Sequence, residues 1–239
     1  TKDGTLAGPK VLEHIIDASM MLDGDTGGRY RTLRGIKNRF GSVGELGVFA
    51  MTETGLKEVK NPSALFLQRP EHPAPGSSVI CTWEGTRPLL VEVQALVDSS
   101  LGGHPRRVTV GLDGQRLAML LAILHRHGQV QLGDQDVFLN VVGGVRVTET
   151  GADLGVILAS VSSFRERIIP PDWVLFGELG LSGEIRPVAS GQERIREAAK
   201  HGFRRALVPR ANAPKQPIAG IEIVPLDRLT DALEVLYAT

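Results

Sequence analysis

The sequence predicts an α+β protein of mixed α/β content, and three observations carry that prediction. Period-two segments such as Leu90-Val91-Glu92-Val93-Gln94-Ala95 stand beside segments of helical period such as Leu117 to Leu124. The two kinds follow one another without strict βαβ alternation. Of the 239 residues 42% are hydrophobic and 23% charged, with mean hydropathy near zero, which is enough apolar mass for a sizeable core and excludes a disordered tail or a fibre.

Along the chain, Gly8-Pro9-Lys10 followed by Val11, Leu12, Ile15 and Ile16 reads as a helix start, because proline suits the first turn. Asp23-Gly24-Asp25 and Gly27-Gly28 read as a turn. Tyr30 to Lys37 and Leu46 to Met51 read as antiparallel strands, and Glu53-Thr54-Gly55 as the end of that block. Residues 60–78 hold Pro62, Pro70, Pro73, Pro75 and Gly76, a stiff linker on which Leu65, Phe66 and Leu67 dock against a neighbouring surface. Beyond it, 79–83, 89–97, 107–112 and 137–142 read as strands, and Gly143-Gly144 as a turn. Residues 113–127 form the best helix, apolar all round and therefore buried, stopping at Gly128. Residues 153–164 and 193–201 read as helices and 173–177, 206–208 and 221–224 as strands. A last helix, 227–237, is capped by Asp227.

Lys+Arg and Asp+Glu are 27 each, so the net charge is zero, which argues against general polyelectrolyte binding but leaves local basic patches open. Arg29, Arg31, Arg34, Lys37 and Arg39 lie in a stretch without acids. Residues 186–215 hold eight basic side chains against two acids. Arginine forks onto phosphate or carboxylate, so these segments read either as phosphate-binding faces or as solvated surfaces with ordinary ion pairs. The single cysteine, Cys81, excludes an internal disulfide framework and a multi-cysteine metal site and fits a reducing cytosol. No apolar run is long enough to span a bilayer, and no secretory leader opens the chain. The chain begins at Thr1 in mid-pattern, as a fragment would.

No G-x-x-x-x-G-K-[ST] phosphate cradle is present. His125 and His127 lie two apart on a helix and do not face one another, so a metal there is a weak reading against a bland helix end. Ser160, Ser162 and Ser163 read as packing hydroxyls, and Asp153 as a helix N-cap. No evident catalytic set emerges from the residues alone.

A resemblance adds to this. Lys37-Asn38-Arg39-Phe40-Gly41 resembles the KNRFG signature of the bacterial RadA (Sms) family, RecA-related DNA repair proteins. Thr1-Lys2-Asp3-Gly4, the stretch Ala7 to His14, Glu84 to Glu92 and Asn140-Val141-Val142-Gly143-Gly144 resemble other parts of the family in the same order, so the resemblance covers essentially the whole chain. It implies that residues 1–59 are the C-terminal end of a RecA-like ATPase core, 60–78 a linker, and 79–239 a domain similar to the proteolytic domain of Lon. It implies that Lys37 and Arg39 reach across a subunit interface toward a neighbour's ATP, where cationic groups stabilise the γ-phosphate. The same residues also read as an ordinary exposed strand face. The family's zinc module and Walker motifs would lie upstream, so ATP with Mg and a zinc ion are expected in the full-length family and no cofactor in this fragment.

Active Lon proteases use a Ser–Lys dyad. By the resemblance, Asp153 stands at the Ser position and Gln192 at the Lys position. A carboxylate is a poor peptide-bond nucleophile and an amide cannot serve as its base, so peptidase chemistry is expected to be absent. What remains is a DNA-binding domain with Arg106, Arg107, Arg116, Arg126, Arg146, Arg186, Arg196, Lys200, Arg204 and Arg205 on duplex or branched DNA, a structural hexameric ring, or a residual hydrolase using Thr148 or Thr150. For the full-length family the resemblance implies ATP-dependent translocation and branch migration in homologous recombination. It also implies the recombinase RecA as a partner, no membrane, and a cytoplasmic location.

Overall fold

A computed structural model describes residues 15–24, 30–41, 43, 46–59, 63, 67, 73–85, 87–100 and 102–239. The chain divides into two units, one of residues 1–60 with 84–87 and one of residues 61–83 with 88–239.

The first unit is a four-stranded sheet in sequence order, β1 (Ala18–Asp23), β2 (Tyr30–Asn38), β3 (Leu46–Thr52) and β4 (Gly55–Glu58), with every pairing antiparallel. Glu53-Thr54 does not end the block: it is the tight turn into β4, and the Thr52 hydroxyl donates to the Gly55 carbonyl at 2.7 Å. β1 and β4 were not legible as strands. The expected helix start at Pro9 and the Gly27-Gly28 turn fall outside the described residues, apart from Ile15 and Ile16.

The second unit is a seven-stranded mixed sheet with helices. Its strands are β5 (Ser77–Glu84), β6 (Arg87–Ser99), β7 (Arg107–Val110), β8 (Gln135–Val141), β9 (Trp173–Leu175), β12 (Arg205–Pro209) and β13 (Glu222–Leu226), in the order β13-β12-β9-β5-β6-β8-β7. The run β13-β12-β9-β5 is parallel, β6-β8 antiparallel and β8-β7 parallel. A short hairpin, β10 (Glu178–Leu179) and β11 (Ile185–Arg186), stands apart and was not anticipated. The helices are α1 (Gly114–Gly128), α2 (Asp153–Arg165), α3 (Gly191–Lys200) and α4 (Leu229–Tyr237). Strands and helices intermixed in this way confirm the mixed α/β class.

All-round burial belongs to α2 rather than α1. In α2 every residue from Asp153 to Ser162 is buried, and Gly155 admits β5 so closely that a Cβ there would lie 2.1 Å from the Ile80 side chain. In α1 only Leu117, Leu120, Ile123 and Leu124 are buried, while Ala118, Met119 and Ala122 face outward. Asp113 caps α1 by accepting the Arg116 N–H at 2.8 Å, a contact worth about 1 kcal/mol. Gly128 is the last helical residue and not the left-handed stop, which is Gln129 at φ 55°. Its smallness serves packing, since a Cβ would come within 3.0 Å of Leu233 on α4. Asp227 does not cap α4. Asp231 does, its carboxylate accepting from the backbone N–H groups of Asp227 and Arg228 at 3.0 and 2.9 Å, while the Asp227 carboxylate pairs with Arg210 at 2.7 Å.

Of the segment read as a linker, residues 77 and 78 already belong to β5. Leu67 packs against the core cluster around Cys81, Val174 and Phe176, and Leu65 and Phe66 lie outside the described residues. The serines of α2 tie elements together. Ser160 donates to the Val156 carbonyl, Ser162 accepts the Gly76 N–H at 2.8 Å, and Ser163 accepts the Val97 N–H at 2.9 Å.

Candidate nucleic-acid interface

A phosphate-binding surface needs exposed cations that the protein has not already neutralised. Of the ten basic side chains singled out, Arg126, Arg146 and Arg204 are exposed, and their guanidinium groups have no carboxylate or hydrogen-bond acceptor among the described residues. Arg126 lies in the last turn of α1, Arg146 in the loop after β8, and Arg204 just before β12.

The other seven are engaged to differing degrees. Arg186 pairs with Glu184 at 2.6 Å, Arg205 with Glu222 at 3.2 Å, and Arg205 also lies 5.0 Å over the Trp173 ring. Arg196 and Lys200 approach Glu193 and Glu197 at 3.9 Å across α3, pairs of the loose surface kind. Arg106 reaches Asp136 through two guanidinium contacts, at 2.8 and 2.5 Å, while its backbone N–H donates to the same carboxylate at 2.7 Å. That backbone bond first, and the guanidinium second, hold Asp136 below the usual carboxylate range. The Arg107 guanidinium turns back onto the carbonyls of Arg106, Gln135 and Leu132. It satisfies those oxygens but keeps its full charge.

Arg116 is tied up in the fold. Its Nε donates to Asp153 at 3.0 Å, a terminal nitrogen donates to the second Asp153 oxygen, and the same nitrogen reaches the Leu179 carbonyl at 3.2 Å. Asp153 also accepts the Leu179 N–H at 3.0 Å. It is therefore not the N-cap of α2 but its first helical residue, with Ala152 at the cap. Its carboxylate bridges α1, α2 and β10. Burial pushes the Asp153 carboxyl up while Arg116 opposes that shift, and the bond to Asp153 in turn raises the Arg116 pKa. Gln192 is exposed on the first turn of α3, where its carboxamide oxygen accepts from Arg196 at 3.2 Å. The Thr150 hydroxyl donates to Glu178, and Thr148 is exposed in the loop before α2. Asp153, Gln192 and Thr150 are thus each hydrogen-bonded within the fold.

Sequence reading missed Arg194. Its side chain is 1% exposed and forms a bidentate pair with Glu149 at 2.6 and 2.7 Å. It also donates to the carbonyls of Cys81 at 2.6 Å and Ala189 at 2.9 Å, and lies 5.7 Å from the Trp83 and Phe176 rings. Glu149 accepts the Trp83 N–H at 2.7 Å as well. One buried cation therefore joins α3, β5 and the loop before α2. A signal for it existed: Gly191, Arg194, Ile195 and Ala198 share the buried face of α3 at helical spacing. Burial also pushes the Cys81 thiol up, which keeps it protonated and unreactive.

In the first unit, Arg39 pairs with Asp17 at 3.0 Å, both side chains more than half exposed. The Asn38 side chain accepts the Phe40 N–H at 3.1 Å, which shapes the turn that leads through Phe40, 82% exposed, to Gly41. Lys37 lies in β2 opposite Ser19.

Comparison with known proteins follows this geometry. Residues 116–212, from α1 to the turn after β12, match the family described as subunit ChlI of Mg-chelatase. Proteins named DNA repair protein RadA match nearly the whole chain. Those of Salmonella typhimurium and Escherichia coli are each 67% identical over 98% of this chain and 51% of their own length, and that of Aquifex aeolicus is 49% identical over 99% of this chain and 53% of its own. The chain spans about half the length of the curated relatives it matches.

Proposed function

Since the chain belongs to the RadA family of DNA repair proteins along nearly its whole length, we propose that it serves DNA repair as a DNA-binding and assembly region without peptidase activity. The observation that carries this reading is the set of exposed, unneutralised guanidinium groups at Arg126, Arg146 and Arg204. Arg107 and the loosely paired Arg196 and Lys200 add to it. Such groups grip phosphates whatever the base sequence, and the grip weakens steeply with salt. Arg116 plays no part in this, because Asp153 holds it. The replaced dyad supports the absence of proteolysis, with Asp153 bridged to Arg116 and Gln192 an amide on an exposed helix turn.

In the longer protein this region acts beside an ATPase that moves on duplex or branched DNA during recombination, assembled as a hexameric ring and working with the recombinase RecA in the cytoplasm. Arg39, whose side chain is more than half exposed, fits the role of an ATP-facing group. Lys37 and Arg39 would supply positive charge to the triphosphate of a neighbouring subunit, and Mg-ATP and zinc are held by segments outside this chain. A second reading, a scaffold whose arginines serve assembly alone, is favoured by the internal pairing of Arg106 and Arg116.

Titration of labelled duplex DNA across a salt series, with mass read by light scattering in the same samples, separates the two. The expected result is a steep negative salt slope. The combined change Arg126→Glu, Arg146→Glu and Arg204→Glu then makes the slope shallower by about 0.9 for each phosphate that is no longer neutralised, with assembly unchanged. A well-formed assembly without DNA affinity at low salt leaves only the scaffold.

A further inference from the structure

Four carboxylates are buried among the described residues: Glu84, Glu92, Asp136 and Asp153. Three of them meet an arginine. Arg34 pairs with Glu84, Arg106 with Asp136 and Arg116 with Asp153. Glu92, on β6, is the exception, although it is only 5% exposed. The Ser77 hydroxyl donates to its Oε1 at 2.7 Å, and the Gln94 carboxamide donates to the same oxygen at 3.0 Å. Both donors are neutral, and none among the described residues reaches Oε2. A carboxylate taken out of water without a counter-charge is costly, so this one is built to meet a cation from outside.

The place where such a cation could enter is open. α3 packs Ile195 and Ala198 against the cluster around Cys81, Leu90 and Phe176, but that cover stops short of the first residues of β5. Ser77 and Val79 stay half-buried, while Cys81 on the same face is fully buried. Over them lies a cleft of about 480 Å³, counted to its open mouth, which is the size of a small-ligand site. Its walls are Leu67 and Pro73 ahead of β5, Ile169, Pro170 and Pro171 ahead of β9, and Phe203 ahead of β12. The three prolines carry no backbone N–H, so the walls present mainly carbon. Glu92 and Ser77 are the polar pair that line the same cleft and touch one another.

We propose that this cleft binds a primary ammonium carried on a short aliphatic stem, its head on Glu92 and its stem along the proline and isoleucine walls. An ammonium brings three donors and no acceptor. That matches Oε2 of Glu92 and the Ser77 hydroxyl, which has lone pairs left after donating its proton. A guanidinium fits less well, since its planar fork asks for both carboxylate oxygens and Oε1 already accepts two bonds. Arg204 follows Phe203 directly and Arg167 lies two residues before Ile169, both exposed, which disfavours a ligand with several positive charges. The stem and single charge belong equally to a free monoamine and to a lysine side chain of a partner protein.

The test is calorimetric titration of the chain with n-butylammonium chloride at fixed ionic strength, with n-butanol as the uncharged probe of the same stem. The expected result is saturable binding of the ammonium and binding of the alcohol weaker by about tenfold or more. Glu92→Gln keeps the volume and an acceptor for Ser77 but removes the charge, and is expected to lose the ammonium by a similar factor. Ala74→Phe narrows the cleft from its exposed rim and leaves Glu92 untouched, so it is expected to weaken binding as well. Circular dichroism checks that both variants fold. A capped lysine, compared with its norleucine counterpart, separates the sources: a lysine bound at least as tightly as n-butylammonium assigns a partner's side chain, and n-butylammonium alone a free amine. No saturable binding, equal binding of the alcohol, or binding unchanged in either variant overturns the proposal. None of these readouts involves DNA.

Discussion

The two units of the chain differ in how far their own residues bury their apolar surface. In the second unit, β5, β6 and β9 are sandwiched by helices, and Ile80, Leu90, Ile157, Leu158, Val174 and Phe176 are wholly buried. In the first unit Val48 is the one fully buried hydrophobic side chain among the described residues, while Met20, Leu22, Ile36, Phe40, Met51 and Leu56 are exposed. A small sheet with so little buried area does not offset the entropy of ordering its backbone. The described residues of the first unit thus leave much apolar surface uncovered by one another. The second has a core of its own, tied together by the buried Arg194–Glu149 pair.

The strongest way to break this comparison is to separate the units. Residues 61–239 produced alone are expected to melt in one cooperative transition, and residues 1–60 alone to show none. A cooperative transition in the short piece would show that its sheet is self-sufficient. Arg194→Ala comes next. It leaves Glu149 without its partner and empties a buried position, at a cost of about 3–5 kcal/mol in urea denaturation. A loss below about 1 kcal/mol would mean that the pair is not part of what holds the second unit. Asp153→Ala removes the bridge between α1, α2 and β10 and is expected to cost about 3 kcal/mol, discounted from the buried limit because Arg116 is a quarter exposed. Replacing both partners by apolar residues should recover most of that loss. The smallest effect is that of Asp136→Asn, and it carries a pH signature. The folded-state pKa of Asp136 is depressed, so its stabilising contribution is fully present above the unfolded value and is lost as pH falls through the folded one. Wild type and variant should therefore keep their difference from pH 7 down to about pH 4, the unfolded value, and converge only as pH falls on through the lower folded one, as read by thermal unfolding across pH. A constant difference would remove ionisation as the cause.

The elements legible in the sequence were those whose pattern is local. Tyr30 to Lys37, Leu46 to Met51, Leu89 to Val97 and the helices at 114–128 and 153–165 were all placed within a few residues, because apolar period alone distinguishes them. β1, β4, β10 and β11 were missed, being short or weakly patterned and held by their neighbours. The exchange of roles between α1 and α2 is instructive. α1 looked buried because Leu117 to Leu124 is apolar throughout, yet Met119 remains 43% exposed. Asp153 looked like a cap, since a carboxylate at a helix start most often is one, but its partner Arg116 lies 37 residues away. The Arg194–Glu149 pair spans 45 residues, and no local pattern pairs such distant charges.

Sequence by itself determined the mixed α/β class, the main strands and helices, and the family, because each of these is written in neighbouring residues or in motifs. Only the tertiary structure decided which arginines are neutralised and which are free, and the order of the strands in the seven-stranded sheet. Charge pairing and strand order depend on which distant segments meet, and folding alone brings Arg116 to Asp153, Arg106 to Asp136 and Arg194 to Glu149 while leaving Arg126, Arg146 and Arg204 to solvent.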